Sequence, residues 1–349
     1  MNGTDISAVI PEREGYRFLG WFDNEGLEGD AITLAGKDGK FPITLYAGWE
    51  TITNTIVYET AGGATADDAP KFYDEENGTL LPTTAMRDGY VFGGWYKDEA
   101  LTKRVYYVPA GYGEPFTVYA KWLRVIAAED YNGKDFTVQG GNENKGAFAY
   151  NASNAGMSHS VVKDAGDNDY LVSTIGSASN AVIYRHNNND NLMNLTEGAV
   201  TYQFDLKKLE GEALSSVSFI MLTPSVAPAG QFDTLRVIGD TGEMVLKGSE
   251  GDVKLMKDGV AVTINEDSFT TVILTVDFEN ACMIAYDNDG TELATASIAV
   301  PKLNGAPAAE SLLDWQKNKA GPYSLYMNMT GNGTKLATDN LMIIDGRVF

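Results

Sequence analysis

The chain has few of the residues that disulfides, zinc sites and membrane spans require. Its 349 residues include one cysteine, Cys282, and two histidines, His159 and His186. A single cysteine excludes an internal disulfide, and two histidines exclude a zinc site built from several of them. No apolar run reaches the roughly 18 to 20 residues of a membrane-spanning helix. We therefore expect no membrane span and a fold held together by packing.

Basic residues are also scarce. Lysine and arginine number 26 against 48 aspartates and glutamates, which gives a net charge of −22. A surface this acidic repels phosphate backbones and anionic lipid, so we expect neither nucleic acid nor a membrane surface as a partner. Apolar residues make up 44% of the chain and charged residues 21%, which is typical of a globular protein rather than a disordered one.

An aromatic, glycine-rich block occurs twice, and an internal repeat outranks other sequence signals. Residues 15–22 read Gly-Tyr-Arg-Phe-Leu-Gly-Trp-Phe, and residues 89–96 read Gly-Tyr-Val-Phe-Gly-Gly-Trp-Tyr. A second shared block follows each copy, Leu-Tyr-Ala-Gly-Trp at 45–49 and Val-Tyr-Ala-Lys-Trp at 118–122. The pattern predicts a truncated repeat over residues 1–50 and a fuller one over residues 51–123. The first copy lacks the part that matches Thr53 to Asp74, so we expect the chain to be a fragment of a longer protein.

These blocks resemble the internalin-type B repeat of bacterial surface proteins. The resemblance covers about the first third of the chain and implies small β-grasp-like units that act as a spacer, with no catalytic residues. Each large aromatic side chain buries roughly 150 to 250 Å² in a unit too small for a generous core. We therefore predict that the rings of the blocks pack inside the units instead of stacking on sugars: Tyr16, Phe18, Trp21, Tyr90, Phe92 and Trp95.

Residues 124–349 have a different composition, with one tryptophan and many short alternating segments. Such segments, separated by turn signals, predict strands. The expected strands are 170–174, 181–185, 199–206, 217–222, 233–238, 271–278, 282–286, 323–327 and 341–344, with a hairpin turn from Asp287 to Gly290. Because helical periodicity is almost absent, this part is predicted to form one β-sandwich.

The order of these elements resembles the concanavalin-like and laminin-G-like jelly roll. Its most specific part is Asp339-Asn340 followed by the alternating segment 341–344. The resemblance implies a carbohydrate-binding module or, less often, a polysaccharide hydrolase or lyase, and a fold alone does not choose between them. The expected fold class is mostly β, with two small β-grasp-like repeats and a C-terminal jelly-roll β-sandwich.

The sequence offers little for catalysis. The resemblance implies that hydrolases of this fold present Glu-x-Asp-x-x-Glu on one strand, where alternation directs the carboxylates to one face, and no such run is present. A lyase needs a Tyr/His pair beside Arg or Asn. Tyr184-Arg185-His186 has these residue types, but alternation turns Arg185 to the other face. We expect a protein without enzymatic activity, with a hydrolase or lyase as the weaker alternative.

Acidic and amide side chains cluster in two stretches, residues 164–169 and 187–191. Their oxygen atoms suit calcium, and the resemblance to jelly-roll modules implies a structural calcium ion. The predicted ligands are Asp167, Asp169 and Asp190. The alternative is that these residues only form turns, for which Asp and Asn are favoured.

Sugar binding requires an aromatic face and a few polar groups. Trp315 lies in a polar, loop-like stretch and is either a lid over the core or an exposed stacking platform. The other predicted glycan contacts are Tyr184, His186, Asn188 and Tyr326.

We interpret the chain as part of an extracellular bacterial protein, secreted or held at the cell surface. In this interpretation the β-sandwich binds a polysaccharide or another glycan, and the repeats act as a spacer. The alternative is a structural or adhesive module that binds a host or cell-surface protein.

Overall fold

The computed structural model describes most of the 349 residues. The exceptions are residues 1–2, 14–15, 37–38, 40–41, 52–53, 75–76, 113, 140, 146, 153–156, 175–178, 186–194, 211–216, 223–231, 240, 304–305, 308, 319–323 and 332–334. The chain divides into two compact units. One consists of Met1–Asp88 and Gly94–Lys121, and the other of Gly89–Gly93 and Trp122–Phe349.

The repeats consist of short strands. These are β1 (Thr4–Asp5), β2 (Tyr16–Phe22), β3 (Leu34–Ala35), β4 (Tyr46–Thr51), β5 (Ile56–Glu59), β6 (Ala64–Thr65), β7 (Thr79–Leu80), β8 (Ala85–Met86), β9 (Tyr90–Tyr96), β10 (Arg104–Val105), β11 (Tyr107–Val108) and β12 (Phe116–Glu129). β12 runs without a break from the second shared block into the sandwich. The predicted boundary between residues 123 and 124 therefore falls inside a strand.

The rest of the described chain adds one helix and twenty strands. They are β13 (Thr137–Gln139), β14 (Asn142–Lys145), β15 (Phe148–Asn151), β16 (Ser158–Lys163), β17 (Asp169–Thr174), β18 (Ser179–Arg185), β19 (Ala199–Lys208), β20 (Val217–Leu222), β21 (Phe232–Val237), β22 (Met244–Gly248), β23 (Gly251–Lys254), β24 (Met256–Lys257), β25 (Val260–Ala261), β26 (Thr270–Asp277), β27 (Cys282–Tyr286), β28 (Glu292–Ser297), β29 (Lys302–Leu303), β30 (Ala306–Pro307), α1 (Leu312–Asn318), β31 (Ser324–Gly331) and β32 (Lys335–Asp345). The fold is mostly β, as the sequence predicted.

The first repeat is built around the antiparallel pair β2 and β4, which holds the two shared blocks side by side. The ring of Phe18 lies 5.4 Å from those of both Trp21 and Trp49, edge to face in each case. The indole Nε1 of Trp21 donates a 2.7 Å hydrogen bond to the carbonyl oxygen of Val9. The shared blocks therefore pack against each other, as predicted.

The second repeat has an additional strand, β5, beside the strand that carries its second shared block. β5 pairs with β12 in parallel, and the ring of Tyr58 on β5 lies 4.9 Å from that of Trp95. Trp95 is 2% exposed, and its Nε1 donates a 2.9 Å hydrogen bond to the carbonyl oxygen of Pro82. The prediction of a packed ring is confirmed for Trp95 and wrong for Tyr90, which is exposed.

The sandwich consists of two antiparallel sheets. In the first sheet β12, β32, β19, β26, β27 and β28 lie in that order, and β13, β16 and β17 join it through the pairing of β17 with β32. In the second sheet the order is β14, β15, β18, β31, β20, β21, β22 and β23. The predicted turn at Asp287 connects β27 to β28, with Gly290 at a φ of 80°.

One hydrophobic core fills the space between the two sheets. Alternate residues of β19 enter it, namely Val200, Tyr202, Phe204 and Leu206. The second sheet contributes Val217, Leu235 and Leu246, among others. The strand period of two thus assigns each residue of these sheets either to the core or to an outside face.

Candidate functional site

The second sheet has one face that does not line the core. Leu235 and Val237 lie in the core, so Arg236 between them belongs to the opposite face, because successive strand residues alternate. We call this the outer face. Two cross-strand rows of residues define it, and the register of the strands fixes both.

The tyrosine row runs across five strands, and each residue is the antiparallel partner of the next. Its members are Ala149, Tyr184, Tyr326, Ile220 and Asp233. The arginine row runs beside it over the same strands. Its members are Asn151, Val182, Asn328, Ser218 and Arg236. With strands about 4.8 Å apart, a row of five residues spans roughly 19 Å.

Arg236 forms hydrogen bonds with two other described polar side chains of this face. Its Nη2 donates to Asp233 Oδ2 at 3.3 Å, and its Nε donates to Ser218 Oγ at 3.4 Å. The side chains of Arg236 and Asp233 are 36% and 32% exposed. A guanidinium group has five N–H donors in a rigid plane, so donors remain for a bound molecule after these two bonds.

The register brings together two residues that the sequence singled out separately. Tyr184 on β18 and Tyr326 on β31 are direct antiparallel partners. His186, Asn188 and Asp190 lie outside the described residues, so the predictions for them stay predictions. The sequence reasoning missed Arg236 and Asp233. Three positions apart, they would lie on opposite faces of a regular strand, and the irregular pairing of β20 with β21 between Phe219 and Ile220 brings them within hydrogen-bonding distance.

Trp315 is not an exposed platform. The stretch predicted as a loop is the helix α1, and the side chain of Trp315 is 0% exposed within the core. Its ring lies 6.4 Å from that of Phe278. The prediction of a sugar-stacking role is therefore wrong, and burial in the core agrees with the alternative that was left open.

A capping signal for α1 was present in the sequence. Ser311 Oγ accepts a 3.0 Å hydrogen bond from the backbone N–H of Asp314 and donates one of 2.7 Å to Asp314 Oδ2. The spacing Ser-x-x-Asp before an apolar and aromatic segment is a helix-start pattern. It would have predicted a helix here, and the helix directs Trp315 inward.

The two described carboxylates of the predicted calcium site face a lysine. Lys163 Nζ lies 2.9 Å from Asp167 Oδ1 and 3.6 Å from Asp169 Oδ1. Asp169 Oδ2 also accepts a 2.8 Å hydrogen bond from the backbone N–H of Gly133, while the Asp167 side chain is 87% exposed. The ammonium group of Lys163 lies within ion-pair distance of both carboxylates and offsets one of their two charges, so their arrangement does not fit a calcium ion held between them.

His159 is buried and serves the core. Its Nδ1 lies 2.8 Å from Ser173 Oγ, and its Nε2 lies 3.1 Å from the carbonyl oxygen of Asn151. Because Nε2 faces an acceptor, it carries the proton, and Nδ1 accepts from Ser173. Burial lowers the pKa of His159 to about 4, against the opposing effect of the bond to Asn151. The imidazole is thus neutral at pH 7 and inaccessible to a substrate.

Among the residues that the structure describes, no group of three or more His, Cys, Asp or Glu side chains is arranged to hold a metal ion. None of the described helices is long and apolar enough to cross a membrane.

Sequence comparison supports the repeats. Residues 2–48 and 55–121 match the Listeria-Bacteroides repeat domain family. Two proteins of Evansella cellulosilytica, whose names describe a membrane protein and a Gly-rich membrane protein, are 33% and 32% identical over 112 and 114 residues. Each match covers 32% of this chain but 16% and 13% of those proteins. This chain therefore corresponds to less than a fifth of either relative.

Structural comparison finds β-rich proteins at low similarity. A sialidase matches 76% of this chain and 22% of its own, at 10% identity and a TM-score of 0.39. The CBM22-1 xylan-binding domain from Paenibacillus barcinonensis Xyn10C matches 64% and 97%, at 8% identity and a TM-score of 0.28. The Chlorella virus alginate lyase vAL-1 matches 64% and 100%, at 10% identity and a TM-score of 0.36.

Proposed function

We propose that this chain is part of an extracellular, non-catalytic protein of the bacterial surface whose β-sandwich binds carbohydrate on the outer face. The repeats act as a spacer, and within their family we assign them to the internalin-type B repeats on the two shared aromatic blocks. The surface location draws support from the names of the two relatives that share these repeats.

The observation that carries the proposal is the composition of the outer face. The tyrosine row contains two tyrosines that are direct partners, Tyr184 and Tyr326. The arginine row beside it provides Ser218 and a partly exposed Arg236. Sugar recognition combines an aromatic surface for the apolar C–H groups with a few fixed polar groups for the hydroxyls. The register places residues of both kinds in adjacent rows, which supports the proposal.

The charge of the site indicates the class of glycan. Arg236 is paired with Asp233, so the described part of the face carries little net charge. The chain as a whole has a net charge of −22, and a surface of that sign repels polyanions. We therefore expect a neutral polysaccharide to bind more tightly than a polyuronate.

The absence of catalysis is part of the proposal. A retaining glycosidase needs two carboxyl groups about 5 Å apart. Asp233 is the one carboxylate in the two rows, and it accepts a 3.3 Å hydrogen bond from Arg236. The two rows therefore do not contain such a pair of carboxyl groups. This supports a binding role over hydrolysis.

Affinity gel electrophoresis against a panel of neutral and acidic polysaccharides tests the proposal. We expect retardation on at least one neutral polymer, and a loss of affinity of about tenfold or more in Tyr326→Ala and in Arg236→Ala. A lost stacking contact or charged hydrogen bond contributes about 1 to 2 kcal/mol, and 1.4 kcal/mol is tenfold in affinity.

Two exposed residues of the repeats provide matched controls. Tyr107→Ala and Arg17→Ala remove the same residue types from exposed positions and are expected to leave retardation unchanged. Failure of the wild-type protein to bind any polymer would exclude the carbohydrate function and favour the adhesive alternative. Release of soluble sugar from any polymer would overturn the non-catalytic assignment, and unsaturated products would identify a lyase.

A further inference from the structure

The two repeats differ at four positions that come together in the folded second copy. Trp95 on β9 is the antiparallel partner of Val105 on β10, and Trp21 forms the equivalent bridge with Ile32. These bridges and the shared blocks fix which residues of the two copies correspond. The second copy has Tyr96, Arg104, Tyr106 and Lys121 where the first has Phe22, Ala31, Thr33 and Gly48. We call the four residues of the second copy the Arg104 cluster.

The members of the Arg104 cluster lie close to one another. Tyr96 and Arg104 are direct antiparallel partners, and Tyr106 follows two positions after Arg104, so strand alternation directs both to the same face. The guanidinium carbon of Arg104 lies 5.3 Å from the centre of the Tyr106 ring. The Nζ atom of Lys121 lies 6.0 Å from the centre of the Tyr96 ring. The second copy thus joins two cations and two phenol rings at a place where the first copy has no charged residue.

A glycine of the aromatic block makes room for the arginine. Gly94 has a φ of 104°, and a Cβ atom placed on it would lie 2.7 Å from Nε of Arg104 and 3.0 Å from its Nη2. In the first copy, a Cβ atom on Gly20 would lie 2.4 Å from Cβ of Ala31. Both glycines therefore let the residue opposite lie directly against the backbone. In the second copy this contact holds a guanidinium group in place.

The positive charge of Arg104 has no partner among the described residues. Its Nε is buried and makes no hydrogen bond, and no ion pair within the described part of the chain includes it. Acidic residues outnumber basic ones by 48 to 26, and Arg17 of the first repeat, for example, pairs with Glu50 at 2.7 Å. A desolvated donor without an acceptor is unfavourable. An acceptor from outside the chain would relieve this cost.

The two tyrosines of the cluster offer different surfaces. Tyr106 is 64% exposed, so much of its side chain is open to a ligand. Tyr96 is half-buried; burial raises its pKa, and the nearby charge of Arg104 opposes that rise. The Tyr96 hydroxyl is therefore protonated at pH 7 and can donate a hydrogen bond.

These groups select a ligand that has a carboxylate and an apolar face in one unit. A guanidinium group matches a carboxylate in geometry and charge, and an exposed aromatic ring suits the C–H face of a sugar. A phosphate group has no apolar face, and an acidic amino-acid side chain has no flat surface to cover a ring. A carboxylated sugar meets both requirements.

We propose that the Arg104 cluster binds a carboxylated sugar unit, such as a uronate or a sialate. The site belongs to the second repeat and does not depend on the carbohydrate function proposed for the sandwich. The first repeat, with Ala31 and Thr33 in place of Arg104 and Tyr106, is expected not to bind. Because the whole chain carries a charge of −22 and repels polyanions, the expected ligand is a single acidic unit or a short oligomer rather than a dense polyuronate.

Calorimetric titration of the full chain at low salt tests the proposal, with sialyllactose and digalacturonate as probes and their methyl esters as uncharged counterparts. We expect saturable binding of at least one acid, weakened by added salt, and about tenfold weaker binding of its ester. Arg104→Ala and Tyr106→Thr introduce the residues of the first copy, and Arg104→Ala is expected to lower the affinity about tenfold or more. Arg104→Lys keeps the charge without the planar fork and should also weaken binding.

Lys103→Ala and Arg17→Ala are the matched controls. Lys103 is an exposed neighbour of Arg104, and Arg17 is the arginine paired with Glu50 in the first repeat. Both variants are expected to bind the acid as the wild type does. An equal loss in Lys103→Ala and Arg104→Ala would overturn the proposal in favour of general charge attraction.

Other outcomes would also decide against the site. Absence of wild-type binding to either acid, or full binding by Arg104→Ala, would overturn it. Equal affinity for tetraglutamate, lost in the same variant, would replace the sugar with an acidic peptide. Should Arg104→Ala fail to fold, as judged by circular dichroism, Arg104→Lys and Tyr106→Thr give the decisive measurement, and unchanged affinity in both would overturn the proposal.

Discussion

The repeats and the sandwich bury tryptophan in different ways. In the repeats a backbone carbonyl from outside the strands accepts each indole N–H, from Trp21 to Val9 and from Trp95 to Pro82. In the sandwich the side chain of Trp315 lies wholly inside one large core, carried there by α1. A small unit has little interior, so it stabilises a large ring with a directional bond and a few edge contacts, whereas a large core surrounds the ring on all sides.

The two repeats also differ from each other. Trp95 is buried beneath Tyr58 of the parallel strand β5, whereas Trp21 is half-buried and contacts Phe18 of its own strand. Both copies have the same aromatic block. The comparison therefore teaches that the block provides the ring, and that a strand from outside the block decides how far the ring is buried.

The largest expected effect is in the sandwich. Trp315→Ala removes a wholly buried side chain, and such truncations cost about 3 to 5 kcal/mol of the free energy of unfolding. Urea unfolding followed by circular dichroism measures this loss, and Trp315→Phe should recover a large part of it. A Trp315→Ala protein of wild-type stability that no longer binds glycan would contradict the buried position and restore the platform interpretation.

The second-largest expected effect is a loss of stability on acidification that affects the sandwich and not the repeats. The pKa of His159 is about 4 in the folded protein, against 6.5 for an ordinary histidine. Between these pH values the unfolded chain binds more protons than the folded one. The sandwich therefore loses stability as the pH falls from about 6.5 to about 4. From pH 7 to pH 5 we expect a loss of about 2 kcal/mol, measured by urea unfolding at each pH.

The repeats contain no histidine and should not share this loss. His159→Gln should reduce the difference between pH 7 and pH 5, while His186→Asn, which removes the second histidine of the chain, should retain it. An equal pH dependence in wild type and His159→Gln would mean that other groups account for the effect.

The smallest effect distinguishes the repeats from each other. Trp95→Ala should destabilise its repeat by about 1 kcal/mol more than Trp21→Ala destabilises the first, because more apolar area returns to water. Hydrogen exchange of β9 and β10 in one variant, and of β2 and β4 in the other, reports each repeat separately. Equal losses of protection would show that β5 does not contribute to burial of the ring.

Much of the strand layout could be read from alternation. The strands expected at 217–222 and 282–286 coincide with β20 and β27 at both ends, because periodic burial of every second residue is a local property. Trp315 was misjudged because its polar neighbours Gln316 and Lys317 suggested a loop, while the capping pattern at Ser311 was overlooked. Gln316 is itself buried, at 6% exposed, and its Nε2 donates to the carbonyl oxygen of Leu195, so a polar side chain here did not indicate an exposed stretch.

The candidate site was predictable only in part. Tyr184 and Tyr326 were singled out for their residue type, yet nothing local indicates that these residues are partners across two strands. Asp233 and Arg236 were assigned to a strand without a role, because a charge pattern within one strand does not specify which neighbours it meets. Their assignment needed the register of β20 with β21 and with β31.

The sequence by itself determined the duplicated aromatic blocks, the mostly β fold and the alternation of residues along the regular strands. These follow from short-range patterns, since strand alternation depends on adjacent residues. The tertiary structure alone decided which ring is buried and which tyrosines are partners. Pairing between distant strands depends on the packing of the whole core and on bulges that shift the register, and no local segment contains that information.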